Sequence, residues 1–349
     1  MPTATLSNGR YTIALSLYGT DPALATRLRH FLTPYFSDVD GAIPEIDLRL
    51  SLHDASAFEQ RWIDACVSQV TIRETDAPGF TLRVLTNQGA PLQYAWDANL
   101  RVGYRIDKSR RSVDFYGEQN AFIHLIELVR YYGLLVEQAK GSAIMHASAV
   151  VERHGGNVIA IGGVKGAGKT TTMLDLVQSG DYLYFSGDKL LLDMVDGRIR
   201  ARGWPDYPHI GIGTLRSHPR LAERLGLGAV AADHTIADTA KRLCVPETMR
   251  AALDAWPSGS GLLSTVILPD VSAPGTLRTQ SLDAATIEQA LQAPGLFEWP
   301  HRFITSTWHR LLDPAYGALT DTVPPALVAA LEQVEWLSRT GIPRQSVTA

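Results

Sequence analysis

Residues Gly163, Val164, Lys165, Gly166, Ala167, Gly168, Lys169 and Thr170 spell a complete G-x-x-x-x-G-K-[ST] loop. Its surroundings restrict the chain to few folds. An apolar run at 158–161 leads into it and a helix-forming run at 171–177 leaves it, so the loop must join a strand to a helix. The three glycines let the backbone curl until successive N–H groups point at one phosphate. The positive end of the following helix strengthens that field. Lys169 is then placed to reach β/γ-phosphate oxygens and the Thr170 hydroxyl to complete a Mg²⁺ shell, with Thr171 beside them. A glycine-rich turn with a stray lysine is the structural alternative. The pattern favours a nucleoside triphosphate, ATP or another, with Mg²⁺.

Composition narrows the partners. A length of 349 residues allows two cores. A net charge of −4 with no basic tract argues against nucleic acid. The short basic cluster at 108–111 falls between two strand-like runs and reads as a solvated hairpin turn. Two cysteines, Cys66 and Cys244, lie far apart and read as small core residues, which makes a reducing compartment the default. The N-terminus lacks the basic flank and apolar core of a signal peptide, and no apolar run approaches the roughly 18 residues of a membrane span. A cytoplasmic protein without membrane contact is expected, its oligomeric state left open.

The first third reads as strands with one helix. Residues 11–17 and 45–52 alternate, as half-buried strands do. Between them Asp21 and Pro22 form an N-cap and first-turn proline, opening a helix toward Tyr35. Further strands are expected at 79–85, 93–96, 101–107 and 112–116. From 118 to 140 the apolar spacing becomes helical, and Gly141 ends the run. The expected division is an N-terminal α+β accessory or recognition domain over 1–117, then an α/β domain with a mixed sheet over 118–349. In the second, runs at 143–152 and 157–162 flank four turn residues and predict an antiparallel hairpin. A strand at 182–186 follows the loop's helix. Asp196-Gly197 marks a second hairpin between 189–195 and 198–204. Residues 203–228 read as loop plus a short helix, 261–269 as a core strand, 325–337 as helix, and the end as a fraying tail.

His146 in the strand before the loop strand, then the loop, then Ser186, Gly187 and Asp188 after the next strand resemble HPr kinase/phosphorylase and the HPr-kinase-like kinases of natural-product clusters. ATP-dependent phosphoenolpyruvate carboxykinase is a more distant likeness. The resemblance covers about residues 140 to 270 and extends to the Lys241-Arg242 segment before a core strand. It implies a P-loop kinase fold of that superfamily and transfer of the γ-phosphate of ATP. Two departures stand out. Gly187 occupies the place of the first of two consecutive aspartates, and Thr171 stands where bacterial HPr kinases carry a glutamate. The HPr-recognition signature near the C-terminus is absent, so HPr itself is not the expected acceptor.

The residues themselves agree with phosphoryl transfer, which needs a cradle, a metal and a group that orients the acceptor hydroxyl. Asp188 reads as acceptor base, Mg²⁺ ligand or both, or as a turn aspartate capping local N–H groups. Asp193 is a second acidic candidate that alternation turns toward solvent. If Glu152 pairs with Asn157, counting puts His146 opposite Gly163. There it touches a γ-phosphate or helps polarise the acceptor, or else is a buried histidine satisfied by backbone. Arg216, Arg220, Lys241 and Arg242 are candidate phosphate or substrate contacts, or solvated surface charges. His209 and His218 share no metal-ligand spacing with a cysteine, and the Trp-His pairs at 299–301 and 308–309 read as core and surface. The expectation is a Mg²⁺-dependent phosphotransferase acting on a hydroxyl of a small molecule or peptide. The alternative is a nucleotide-binding regulator or ATPase whose acidic turn is reduced. A non-nucleotide interaction protein ranks third, and no guanine-reading or transporter signature is present.

Overall fold

Asp21 caps the first helix as its sequence predicts: its carboxylate accepts the Ala23 N–H at 2.9 Å, and Pro22 begins α1 (Pro22–Leu32). The computed structural model describes residues 4–39, 45–73, 82–87, 92–271, 276–304 and 319–341. Their architecture is mixed α/β, with large mixed sheets. The chain divides into two compact units, Met1–Gly141 with Trp299–Asp321, and Ser142–Glu298 with Thr322–Ala349.

Among the described residues, the first unit is built on a nine-stranded sheet. Its strands are β1 (Ala4–Ser7), β2 (Thr12–Tyr18), β3 (Ser37–Asp38), β4 (Leu48–His53), β5 (Ser68–Arg73), β6 (Leu82–Thr86), β7 (Leu92–Asp97), β8 (Val102–Asp107) and β9 (Ser112–Tyr116), ordered β3-β1-β2-β4-β9-β8-β7-β6-β5. Alternation sets the buried face: Leu48, Leu50 and Leu52 are fully buried while Arg49 between the first two is exposed. Residues 108–111 make the predicted turn between β8 and β9, capped by Asp107, and a short helix, α2 (Gln60–Asp64), precedes β5.

The helix expected to open the second domain, α3 (Phe122–Ala139), belongs instead to this unit. It is apolar around most of its circumference, and its polar side chains are tied to the unit's strands and loops. His124 lies between Tyr104 Oη at 2.7 Å and Asp97 Oδ2 at 2.8 Å, all three buried. Tyr132 Oη donates to the Asp47 carbonyl at 3.2 Å. The unit boundary therefore falls after this helix, at Gly141, whose φ of +83° ends it.

The second unit is built on β10 (Ala143–Glu152), β11 (Asn157–Gly162), β12 (Tyr182–Ser186), β13 (Lys189–Val195), β14 (Arg198–Gly203), β17 (Ser260–Asp270), β18 (Arg278–Ser281), β19 (Phe297–Glu298) and β20 (Glu335–Thr340), with a separate pair β15 (His209–Gly211) and β16 (Lys241–Leu243). Strand β10 is shared. Its first half pairs β13 and β19, and its second half pairs β11 and β12. Because β11 also runs parallel to β17, and β17 pairs β14, the pairings β10-β11-β17-β14-β13-β10 close on themselves. Asp196 and Gly197 turn β13 into β14 with φ of +50° and +73°, the backbone a two-residue hairpin of matching twist requires.

Helix α4 (Lys169–Gln178) packs Met173, Leu174 and Val177 into a core with Val150, Ile159, Ile161 and Ile267. Against the same core lie α5 (Ile212–Ser217), α6 (Pro219–Arg224), α7 (Gly228–Ala232) and α8 (Pro246–Ala252), so the 203–228 segment is more helical than its composition suggests. The helix expected over 325–337 stops at Leu331. Glu335–Thr340 instead extends as β20 beside β17, where Trp336 is buried. An available sheet edge overrides the helical spacing there. The expected tail and the Trp-His pair at 308–309 lie outside the described residues.

Candidate functional site

Hairpin β10–β11 pairs antiparallel with Ala147 opposite Gly162 and Val151 opposite Val158. This is the counted register, and it sets His146 level with Gly163. Beyond Gly162 the chain leaves the sheet through Gly163, Gly166 and Gly168, at φ of +132°, +93° and +104°. Gly168 allows no side chain, since a Cβ would lie 2.3 Å from Val271 Cγ1. The Val271 N–H, just past β17, donates to the Ala167 carbonyl at 3.1 Å. The loop is thereby anchored to the neighbouring parallel strand while its apex at Gly166 stays open.

Lys169 starts α4. Its ammonium donates to the carbonyls of Gly163 at 2.7 Å and Val164 at 3.3 Å. Burial lowers its pKa from the ordinary lysine value; the Asp188 carboxylate opposes this, and the Lys241 ammonium adds to it. Lys165 is exposed at the loop's tip, and Thr170 is half-buried in the first turn of α4. Thr171 is turned elsewhere, sharing a 2.9 Å hydrogen bond with the Thr214 hydroxyl of α5.

Beside the loop, four side chains converge. His146 Nε2 is 3.3 Å from Asp188 Oδ1, and His146 Nδ1 is 3.6 Å from Glu298 Oε1. Lys189 Nζ sits 3.0 Å from Asp188 Oδ2 and 2.7 Å from Glu298 Oε2. The turn holding Asp188 is fixed from below, where Ser148 Oγ donates to the Gly187 carbonyl at 2.6 Å and Ser186 Oγ to the Lys189 carbonyl at 2.7 Å. Burial would raise the Asp188 pKa, but the His146 hydrogen bond and the Lys189 charge overrule it and hold the carboxyl well below the usual range. Its side chain remains 41% exposed, so water screens part of this interaction. Burial likewise opposes charge on Lys189, yet Asp188, Glu298 and Asp206 together hold its pKa above the ordinary value.

The fold thus brings together Lys169, His146 and Asp188 from three elements. Lys189 and Glu298 were not identified from sequence. Lys189 adjoins Asp188, but Glu298 lies in a two-residue strand that carries no periodic signal and joins the site only through pairing with β10. Lys241 is exposed on β16, and its charge is felt at Lys169. Arg242 is half-buried, with one guanidinium nitrogen on the Lys241 carbonyl at 3.2 Å. Arg220 is exposed at the start of α6. Arg216 is occupied in holding its own loop, donating to the carbonyls of Ala231, Asp233 and Ile236 and pairing with Asp238. Asp193 is not solvent-facing. It is buried between Arg200 at 2.5 Å and Arg202 at 3.1 Å, because β13 is covered on both faces and Leu190, Leu191 and Leu192 are all fully buried. His218 binds Asp175 at 3.0 Å and the Thr214 carbonyl at 2.8 Å. Cys66 and Cys244 are buried free thiols, each pushed by burial to about 11.

Among the described residues, no helix is long and apolar enough to cross a membrane. Compared with models of known protein families and with curated proteins, the chain finds no match.

Proposed function

We propose that the second unit is an HPr-kinase-like P-loop domain that transfers the γ-phosphate of ATP to a hydroxyl of a small molecule or peptide. The observation that carries this reading is the approach of Lys169, at the mouth of the glycine-rich loop, to the Asp188–His146–Lys189–Glu298 cluster. Phosphoryl transfer is achieved by positioning and charge stabilisation, and Lys169 and this cluster are the groups that would supply them. The order of elements supports the fold assignment: a histidine-bearing strand, the loop strand, the loop helix, a strand, an acidic turn and a hairpin.

The loop suits a polyphosphate. Its glycines let the backbone of 163–169 curl toward one phosphate, the ten-residue α4 directs its positive end there, and Lys169 can exchange two carbonyl partners for phosphate oxygens. Thr170 and Asp188 supply hard oxygen donors of the kind Mg²⁺ prefers. Among the described residues no three His, Cys, Asp or Glu side chains converge to hold a metal unaided, so this donor set would bind the ion together with phosphate and water. Mg²⁺ bound there would neutralise charge on the transferring phosphate. Asp188, held ionised by its neighbours, would accept a hydrogen bond from the acceptor hydroxyl and orient it. His146 steadies Asp188 at its Oδ1 atom. Lys241, exposed and close enough to affect Lys169, would add positive charge toward the phosphates.

Gly187 favours a second reading, a nucleotide-binding regulator or ATPase, because the acidic turn carries one carboxylate where a pair is usual for the resembled kinases. Two measurements separate the readings. Mass spectrometry of mixtures containing ATP, Mg²⁺ and candidate acceptors should reveal a gain of one phosphoryl group; nucleotide binding without any such product supports the regulator. Lys169→Ala should abolish nucleotide turnover, since charge stabilisation at such a site is worth on the order of 3 kcal/mol, at least a hundredfold. A loss under about tenfold would remove this loop from consideration as the active phosphate site.

A further inference from the structure

Glu298 is placed by backbone, not by a loop. Strand β19 lies across the first half of β10, with Glu298 opposite Ile144 and Phe297 opposite Met145, and the His146 N–H donates to the Leu296 carbonyl at 2.9 Å. Its two oxygens serve different partners. Oε2 holds the Lys189 ammonium at 2.7 Å, while Oε1 faces His146 Nδ1 at 3.6 Å. Asp188 meets the same two groups from the opposite side, through Oδ2 at 3.0 Å and Oδ1 at 3.3 Å. The four side chains close a ring in which the carboxylates alternate with the ammonium and the imidazole. The ring is open to water at one corner: Asp188 is 41% exposed, against 21% for Glu298 and 11% for Lys189.

We propose that Glu298 is the positioning residue of this site, dividing the Lys189 ammonium between two carboxylates so that Asp188 is held in place and keeps negative charge facing the acceptor. The proposal rests on the phosphotransferase reading above. Without the Glu298 charge, Lys189 keeps its contact with Asp188 and the more distant influence of Asp206 but loses the 2.7 Å partner that competes with Asp188 for its ammonium. More of the Asp188 charge is then taken up by its own neighbour instead of facing a hydroxyl. The acidic group of the turn is thus supported by a second carboxylate from a distant strand.

The test uses the full chain with Mg²⁺ and ATP as probes, reading ADP formation and ATP affinity separately. Glu298→Gln keeps the shape and removes the charge. It should lower kcat by about tenfold to a hundredfold, the usual effect of a misplaced catalytic group, while ATP affinity stays within about threefold. Adding Lys189→Met should restore much of the lost rate, because it removes the cation that Glu298 no longer draws away from Asp188. A residue that only supported the fold would give no such recovery. Unchanged kcat in Glu298→Gln, or a double variant no faster than the single one, would overturn the assignment. If Glu298→Gln does not fold, Glu298→Asp carries the same test, with a smaller loss expected and an unchanged rate overturning the proposal. The His146 ring resonances, recorded without nucleotide, distinguish the two levels of failure. They should shift in Glu298→Gln even if the wild type binds no ATP, a result that would sink the kinase reading and leave the ring intact; unshifted resonances would sink the ring itself.

Discussion

A carboxylate held far down its titration range behaves differently from a free one, and Asp188 offers the clearest single-residue test. Because His146 and Lys189 lower its pKa against the effect of burial, it stays ionised across mildly acid solution. The sign follows from linkage: a depressed carboxylate contributes stability above its unfolded value of about 3.9 and loses it only as pH falls toward the folded value. The stability difference between wild type and Asp188→Asn, measured by denaturant unfolding, should therefore shrink as pH falls below about 4. The same substitution should lower kcat and leave nucleotide affinity nearly unchanged, since an acceptor-orienting group acts mainly in the transition state. Any acid limb of the rate between pH 7 and pH 5 should persist in Asp188→Asn, as it must belong to another group. Near-wild-type transfer by this variant would reduce Asp188 to a turn residue.

Between the elements, hairpin β13–β14 is held by charges buried inside it. Asp193 answers both Arg200 and the nearly inaccessible Arg202, which also reaches Ser142 Oγ at 3.1 Å. Asp193→Ala should cost on the order of 3 kcal/mol, because it takes a buried carboxylate away from both Arg200 and Arg202; a cost below about 1 kcal/mol would mean that Asp193 does little to hold the hairpin. Asp193 also shows where the sequence stops being informative. Strict alternation exposes Arg49 and locates β4, since one face of β4 meets solvent, whereas β1, β3 and β5 of the same sheet were not foreseen. Strand β13 is covered on both faces, so period two carries no information about Asp193. Motif and turn chemistry were legible: the glycine-rich loop between strand and helix, the Asp196-Gly197 hairpin, the Asp21 cap, and the β10–β11 register that levels His146 with Gly163. Long-range pairing was not. Residues 332–337 carry a helical spacing that yields to the free edge of β17, and Glu298 enters the site only because β19 finds β10. Composition likewise allowed one short helix within 203–228 where two form, Ile212–Ser217 and Pro219–Arg224.

At the scale of the whole chain, neither unit is a continuous stretch. The path runs through the first unit to Gly141, through the second to Glu298, back to the first over Trp299–Asp321, and finally returns to the second. The returning piece is tied to α3, where Gln138 Nε2 reaches His301 Nδ1 at 2.8 Å and the Thr320 carbonyl at 3.0 Å. A fragment beginning at Ser142 keeps the glycine-rich loop and all four ring residues but carries Trp299–Asp321 without its partners. It should unfold at a lower denaturant concentration than the full chain and lose protection from protease around residue 300, as limited proteolysis would record. A fragment as resistant as the parent would show that the returning piece contributes nothing. The same threading sets a timetable for biosynthesis. When Gly141 has left the ribosome the first unit still lacks its final piece, which follows only after the next 157 residues, from Ser142 to Glu298, have been made. At about 5–20 residues per second that is a wait of roughly 8–30 s. Throughout it the nascent first unit stands unfinished while strands of the second emerge beside it, and this interval is when a chaperone would have most to do.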